Sequence, residues 1–203
     1  EGYPYMEYIA PGLVMMSVIT NSYGNVVGSF FNAKIQGHIE ELLVSPLSEV
    51  SIVIGYLAGG IIRGLAVGTV VTFIALFFTQ INIKYPLMTF FVVIMTAGVF
   101  SLAGLINAIF ARKFDDIAVI PSFVLAPLTY LGGVFYTVSL LPEFWQTISR
   151  LNPILYMINS MRYSVIGISD VSIQNALMMI VIFFIVLFSI AVTLLRKGIG
   201  IRQ

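Results

Sequence analysis

Residues 50–78 read VSIVIGYLAGGIIRGLAVGTVVTFIALFF, and Arg63 is the only charged residue among them. An α-helix rises about 1.5 Å per residue, so a run of this length crosses the roughly 30 Å hydrocarbon core of a bilayer. A charge at that depth costs at least about 2.5–3.5 kcal/mol by insertion scales. The run therefore predicts a transmembrane helix in which one residue, Arg63, needs its own explanation.

Four more runs of this kind lie along the chain, and together they decide the fold class. The predicted spans are residues 8–31, 50–78, 87–110, 117–136 and 173–195. The sequence is 59% hydrophobic and only 9% charged, which leaves too little polar surface to cover a water-soluble core. Backbone groups in lipid must be paired within their own segment, and the alternating strands of a membrane barrel are not seen. The sequence thus predicts an all-α, polytopic membrane protein with residues 1–203 in a single transmembrane domain.

The basic residues indicate which ends of the spans face the cytoplasm, where Lys and Arg accumulate. One side holds Lys34, Arg112, Lys113, Arg196, Lys197 and Arg202, and the other holds Lys84, Arg150 and Arg162. With the larger set inside, the C-terminal tail is cytoplasmic and the N-terminal end lies outside. The chain starts at Glu1 without a signal-peptide pattern, so an outside start needs a preceding span, and we expect a longer protein.

The segment between the first two spans mixes charged and apolar residues. A short amphipathic helix is predicted over 36–45, with Pro46 breaking it and Ser48 as the N-cap of the next span. Its apolar stripe consists of Ile39, Leu42 and Leu43, with Leu47 beyond. Such a helix lies on lipid headgroups or docks into a cytoplasmic partner. In the docked case the stripe would be buried in the partner, and Glu40 and Glu41 would pair with its basic residues.

A second irregular segment, residues 138–168, follows the fourth span. It is apolar only in pieces, because Pro142, Arg150, Asn152, Pro153, Asn159 and Arg162 divide it. Pro142 and Pro153 suit the first turn of a helix and Asn152 suits an N-cap. We interpret the segment as two half-membrane helices that dip in from the outer face, the alternative being an outer amphipathic loop.

Small and polar residues mark the faces on which two spans pack. Gly55, Gly59 or Gly60, Gly64 and Gly68 recur every four residues in the second run, and Ser17, Asn21, Gly24, Asn25 and Gly28 share a face of the first. Such faces more often mediate close helix packing than line a path, and both roles stay open for Ser17, Asn21 and Asn25. Arg63 either bonds backbone carbonyls of a broken helix or reaches a water-filled cavity, or it contacts an anionic part of a substrate. Pro121 and Pro127 should kink or unwind the fourth span.

Several short motifs, in this order and spacing, resemble type-2 ABC transporter permeases, in particular the bacterial YadH-like permeases. They are Pro11-Gly-Leu13, Glu40-Glu-Leu-Leu-Val-Ser-Pro-Leu-Ser-Glu49, Phe114-Asp-Asp116, Pro127-Leu-Thr-Tyr-Leu-Gly-Gly-Val-Phe-Tyr136, Leu141-Pro-Glu-Phe-Trp145 and Leu151-Asn-Pro-Ile-Leu-Tyr156. The likeness covers essentially the whole chain. Family members have six spans preceded by an amphipathic helix; that helix and the first span are absent here, which agrees with the outside start.

The resemblance implies the membrane subunit of an ATP-driven exporter in the bacterial cytoplasmic (inner) membrane. Two copies would pair with two cytoplasmic ABC ATPase subunits, which would bind ATP and Mg; no cofactor or nucleic acid is expected on this chain. Contact with the ATPase would come from the coupling helix through Glu40, Glu41, Leu42, Leu43, Ser45 and Pro46. A re-entrant hairpin containing Pro142, Trp145, Asn152 and Pro153 would cap the translocation path.

The polar residues disfavour other classes of membrane protein. Proton-coupled carriers commonly place Asp, Glu or His within their spans, and this sequence places none there. Without cysteine, and with His38 lacking a second ligand at metal spacing, neither a metal site nor a catalytic cluster is expected. No G-x-x-x-x-G-K-[ST] phosphate loop occurs, so any ATPase must be a separate chain. An ATP-independent channel or secondary carrier is the alternative.

Overall fold

The computed structural model describes residues 4–79 and 83–200, except for the side chains of Glu40, Leu43 and Ser139. All regular structure in these residues is helical. The nine α-helices of this part of the chain are α1 Tyr5–Ile35, α2 His38–Val44, α3 Glu49–Leu76, α4 Pro86–Phe110, α5 Phe114–Ile120, α6 Ala126–Leu131, α7 Glu143–Leu151, α8 Pro153–Ile166 and α9 Ile173–Lys197. A π-helical turn, Pro121–Leu125, joins α5 to α6, and a 3₁₀ turn, Val138–Leu140, precedes α7.

Four helical segments are long and apolar enough to cross a membrane: α3, α4, the continuous segment Phe114–Leu131, and α9. Helix α1 is the longest helix, with 31 residues, but Ser, Thr and Asn recur along it and it is not one of the four. It lies at the centre of the domain, where α3, α4 and α8 pack around it. The segment Phe114–Leu131 has only 6% of its most apolar window buried, so it lies at the periphery.

The glycine row of α3 forms its contact with α1 and α4, as the sequence predicts. A Cβ atom at Gly60 or Gly64 would overlap Ser101 Oγ or Ser22 Oγ, and one at Gly68 would lie 2.8 Å from Val18. Gly55 has nothing within 4 Å of its Cβ position, so it does not belong to this contact. Close approach of the backbones through small residues is a common mode of helix association in membranes.

Proline and capping residues set several helix boundaries where the sequence places them. Ser48 Oγ accepts the Ser51 N–H at 3.1 Å and caps α3, and Asn152 Oδ1 accepts the Ile154 N–H at 3.0 Å and caps α8. Pro121 begins the π-helical turn that interrupts the fourth span, which confirms the predicted unwinding there. Since proline has no N–H to donate, the ladder of α-helical hydrogen bonds is disturbed at this point.

The helix ends meet in two groups at opposite ends of the domain. At one end Lys34 Nζ donates to the carbonyls of Ile109 and Ala111, at 2.6 and 2.9 Å, and so caps the C-terminal end of α4. At the other end Tyr5 Oη donates to Phe135 O at 3.3 Å. The two ends of α1 thus lie at opposite ends of the domain, each beside the end of another segment. The distribution of Lys and Arg in the sequence likewise places successive connections on alternate sides of the membrane.

Candidate functional site

A polar strip runs along α1 on a side that its own chain leaves partly open. This α1 polar face consists of Ser17, Thr20, Asn21, Asn25 and Ser29; Thr20 and Ser29 are exposed and the other three are half-buried. Ser17, Thr20, Asn21 and Ser29 each donate to the carbonyl four residues earlier in α1. Each of these side chains thus uses one donor within its own helix, bonds to no neighbouring helix in the described residues, and keeps further hydrogen-bonding capacity open.

Arg63 lies on the adjoining surface of α3 and is exposed. A Cβ atom at Gly59, one turn before it, would lie 3.7 Å from Asn25 Nδ2, so α3 and the α1 polar face are close neighbours here. Within residues 4–79 and 83–200, Arg63 and Asn25 make no side-chain hydrogen bond, and Arg63 makes no ion pair. Helix α3 is continuous through Arg63, so this side chain does not bond carbonyls of a break in its own helix.

The α1 polar face and Arg63 together offer hydroxyls, amides and one guanidinium along a surface at membrane depth. A surface of this kind is costly against lipid chains, which cannot hydrogen-bond to it. Water, a polar solute or another polar protein surface would satisfy it. Ser17, Asn21, Asn25 and Arg63, which the sequence predicts for a path or for packing, therefore lie on adjoining surfaces. The close contact between α1 and α3 is formed by the glycine row instead.

The predicted amphipathic helix is present as α2, but its apolar stripe faces the core of its own chain. Ile39 is 2% exposed and belongs to the hydrophobic core of this chain, and Leu42 is half-buried against that core. The predicted burial of Ile39 in a partner is therefore wrong, because its side chain is already covered by its own chain, whereas Leu42 keeps part of its surface open. The side chains of Glu40 and Leu43 lie outside the described ones.

The outward surface of this region carries different residues. Glu41, Val44, Pro46 and Leu47 are exposed, with 88% for Val44 and 54% for Leu47. Ser45 Oγ donates to Leu42 O at 2.6 Å and so closes the C-terminal end of α2. We call Glu41, Val44, Pro46 and Leu47 the α2 outer surface.

At the opposite end of the domain the structure buries a charge that belongs to the irregular segment 138–168 of the sequence. Arg162 on α8 is 0% exposed. Its Nη2 donates to Gly133 O at 2.7 Å and its Nε to Tyr8 O at 3.4 Å, and its Cζ lies 3.9 Å from the centroid of the Tyr8 ring. A cation over an aromatic face is stabilised by the ring quadrupole, most strongly where water is excluded.

Asp170 completes this Arg162 cluster from the connection before α9. Its Oδ2 lies 4.0 Å from Arg162 Nη1, and its N–H donates to Asn159 Oδ1 at 2.8 Å. The sequence signal was available, since Arg162 sits in the apolar piece 154–168, but its partners are 29 and 154 residues away. An arginine in such an apolar piece indicates a buried cation. The residues that contact it can be identified only from the folded structure.

Helices α7 and α8 occupy the segment for which a re-entrant pair was predicted, and they differ sharply in burial. Along α7, Phe144 and Trp145 are 68% and 44% exposed, whereas α8 is almost wholly enclosed by α1, α4 and α9. Pro142 precedes α7 and Pro153 is the first residue of α8, while Asn152 Nδ2 donates to Leu128 O. Burial raises the pKa of the Tyr136 phenol above its ordinary value.

The sequence is similar to those of known membrane transport proteins. Residues 2–166 match the family model described as "ABC-2 type transporter". The chain is 51% identical over its full length to "Inner membrane transport permease YadH" of Escherichia coli K12, covering 79% of that protein. It is 24% identical over 97% of its length to "Nodulation protein J" of Sinorhizobium fredii, covering 76% of it. With four apolar spans, the chain fits a multi-pass inner-membrane protein and belongs to the ABC-2 type transporter family of membrane transport permeases.

Proposed function

We propose that this chain is the membrane-spanning subunit of an ATP-driven exporter and forms its translocation path. The family implies an ABC ATPase partner in general. No phosphate-loop motif occurs in the 203 residues, which supports a separate cytoplasmic subunit that binds ATP and Mg.

The α1 polar face, beside the unpartnered Arg63, is the observation that carries this proposal. A strip of hydroxyls and amides beside a guanidinium suits a water-filled path, where solute and water supply further hydrogen-bond partners. In this arrangement α1 is a fifth span beside the four apolar ones. At 31 residues it is long enough to cross the bilayer.

Two copies of the permease would complete the path. The segment Phe114–Leu131 is a candidate span with only 6% of its window buried, and the α1 polar face is open in a single copy. A two-fold dimer buries the same surface on each copy, so these surfaces would face each other across the path.

Coupling to the ATPase would use the α2 outer surface rather than the buried stripe. Glu41 offers a charge for a basic residue of the ATPase, and Val44 and Leu47 offer exposed apolar area. Ile39 and Leu42 would transmit a displacement of α2 to the core of the domain, since they pack against it. ATP must bind one conformation better than the other for this displacement to occur.

The outer cap of the path would be the re-entrant pair α7 and α8. Enclosure of α8 by three other helices supports a position inside the membrane, where protein covers its ends. Exposed Phe144 and Trp145 on α7 suit the interface between lipid and water.

The test uses the full-length permease with its ATPase in vesicles and single cysteines at Asn21, Asn25 or Ile182. The 203 residues contain no cysteine, so each introduced thiol is the only one among them. Asn21→Cys and Asn25→Cys should react with a water-soluble maleimide, at rates that change with ATP and vanadate. Ile182→Cys, on the 51% exposed lipid side of α9, is the matched control and should stay unreactive.

Equal reactivity at all three positions would contradict the path. Reaction at Asn21 and Asn25 that ignores ATP, together with transport insensitive to vanadate, would favour an ATP-independent channel or secondary carrier instead.

A further inference from the structure

A cavity of about 340 Å³ opens between α1, α3, α4 and α8. Its lining includes Val14, Gly68, Thr72, Phe90, Met161 and Val165. The volume falls in the range of about 300–1,000 Å³ that holds small ligands. We call it the outer cavity.

The cavity arises from the sequence of α3. Gly68 is the last glycine that packs α3 closely on α1, at Val18. One and two turns later the chain has Thr72 and Leu76 in place of glycine, and both line the cavity. Larger side chains hold the two helices apart, so the close contact ends and a space begins.

The walls of the outer cavity are chemically apolar. Two of its threonines have their hydroxyls engaged: Thr72 Oγ1 donates to Gly68 O at 2.7 Å, and Thr89 Oγ1 donates to Ser164 Oγ at 2.9 Å. Aliphatic and aromatic side chains form most of the remaining wall. The cavity therefore suits a hydrocarbon chain rather than a polar solute.

The cavity has a deep wall and an exposed rim. Met161 and Val165 on α8 are 4% and 3% exposed and form the deep wall. Phe73 on α3 and Phe90 on α4 are 62% and 59% exposed and stand at the rim. A ligand that reaches Met161 must have entered from the surface between α3 and α4, on which lipid would lie.

Lys84 borders this cavity through its backbone, although its side chain is not part of the wall. Lys84 sits between the lining residues Ile83 and Pro86, and its N–H donates to the carbonyl of the lining residue Val165 at 3.1 Å. Its Nζ lies 5.8 Å from the Tyr85 ring centroid and against Gly167, where a Cβ atom would be 2.7 Å away. In the part of the chain that the structure describes, no carboxylate lies within 4.0 Å of Lys84.

An apolar cavity bordered by a lysine that has no carboxylate partner in the described residues matches the two halves of an anionic phospholipid. We propose that the outer cavity binds one such lipid from the outer leaflet, with an acyl chain between α3 and α4 and its phosphate near Lys84. Each methylene group buried there adds to the affinity, and the ammonium group selects for negative charge.

The test is photocrosslinking of the full-length permease in vesicles of phosphatidylethanolamine that contain phosphatidylglycerol with a diazirine in mid-chain. Peptide mapping should find label on Met161 and Val165, which lipid on the outer surface of the domain cannot reach. Thr72→Phe fills the cavity and should reduce that label about tenfold, the effect of displacing about two methylene groups. Val70→Phe is the matched control, because Val70 is 57% exposed on the same helix and outside the cavity.

The headgroup is tested by comparing phosphatidylglycerol with a phosphatidylcholine probe of the same chain. Lys84→Gln should reduce the preference for phosphatidylglycerol at Met161 about fivefold, as expected for one basic residue near a membrane surface. Lys84→Arg should keep the preference. Label confined to surface residues, which would mean that another protein segment or the transported molecule fills the cavity, would overturn the proposal. An unchanged preference in Lys84→Gln would also overturn it.

Discussion

Arg162 and Tyr8 lie 154 positions apart in sequence, yet the guanidinium carbon is 3.9 Å from the centroid of the tyrosine ring. This contact fixes the enclosed helix α8 to the first turns of α1. It also links two parts of this end of the domain that are far apart in sequence.

Replacing Arg162 by Met should destabilise the domain. The variant keeps an apolar stem but loses the bond to Gly133 O and the contact with Tyr8, so we expect about 1.5–3 kcal/mol less free energy of unfolding. Steric trapping of the full-length protein in bicelles measures this quantity. Arg150→Met on exposed α7 is the control and should change it by less than about 0.5 kcal/mol. Equal effects of the two variants would show that the Arg162 cluster is not a stabilising feature.

The Gly64 position should reject even one methyl group. A Cβ atom there would overlap Ser22 Oγ, so Gly64→Ala should cost about 1–3 kcal/mol, as overpacking does. Ser22 Oγ is buried without a hydrogen-bond partner, so Ser22→Ala loses no hydrogen bond and removes the obstacle.

The double variant Gly64→Ala/Ser22→Ala should therefore recover most of the lost stability. Gly55→Ala is the matched control, because nothing lies within 4 Å of its Cβ position. Thermal unfolding followed by size-exclusion chromatography compares the four proteins. A Gly64→Ala protein as stable as Gly55→Ala would contradict the close packing of α3.

Introducing a carboxylate at two apolar positions of α2 should affect different properties of the protein, ATPase binding at Val44 and stability at Ile39. Val44→Asp changes a residue that is 88% exposed, so the melting temperature should hold while copurification of the ATPase falls. Ile39→Asp places a carboxylate in the core, where an unpaired charge is costly, so the melting temperature itself should fall. Copurification that survives Val44→Asp would remove the α2 outer surface from the coupling proposal.

Reversal of charge at Glu41 should uncouple the two subunits while leaving the membrane domain folded. Glu41 is exposed on α2, so Glu41→Lys replaces an attraction to a basic ATPase residue by repulsion. When both rates are measured in the same vesicles, the variant should transport less substrate for each ATP that is hydrolysed. Glu143→Lys, an exposed reversal on α7, is the control and should keep the normal ratio of transport to hydrolysis. Normal transport by Glu41→Lys would contradict the docking role.

The orientation of the chain can be tested with two exposed positions at opposite ends. Leu140 is 78% exposed beside α7, and Lys113 is exposed at the start of α5. In intact cells a membrane-impermeant maleimide should label Leu140→Cys, and Lys113→Cys should react only after permeabilisation. The reverse pattern would invert the assignment that rests on the distribution of Lys and Arg.

Hydropathy was sufficient to predict most of the helices, because a long run without charge has few alternatives to a helix in lipid. The row Gly60, Gly64 and Gly68 was also predictable, since its period is that of a helix face. That Ile39 packs into the core of its own chain was not predictable. A stripe on a short helix indicates that the helix packs on something, whereas only the fold decides whether that is its own chain or another.

The Arg162 cluster shows the same limit. An arginine within an apolar piece can be recognised from the sequence alone, but the carbonyl of Gly133 and the ring of Tyr8 come near only after three segments have folded together. Arg63 was the more conspicuous arginine because it interrupts a long run, and in a single copy it is the exposed one.

The glycine row has a mechanical consequence. Gly60 and Gly64 accommodate side chains of both α1 and α4, and Gly68 accommodates Val18 of α1, so these helices cannot shift against one another without side-chain overlap at the glycines. We expect the three helices to move as one rigid unit, with α2 at the end where Lys34 caps α4. Bending would then concentrate in the loosely held segment Phe114–Leu131, whose π-helical turn would serve as the hinge.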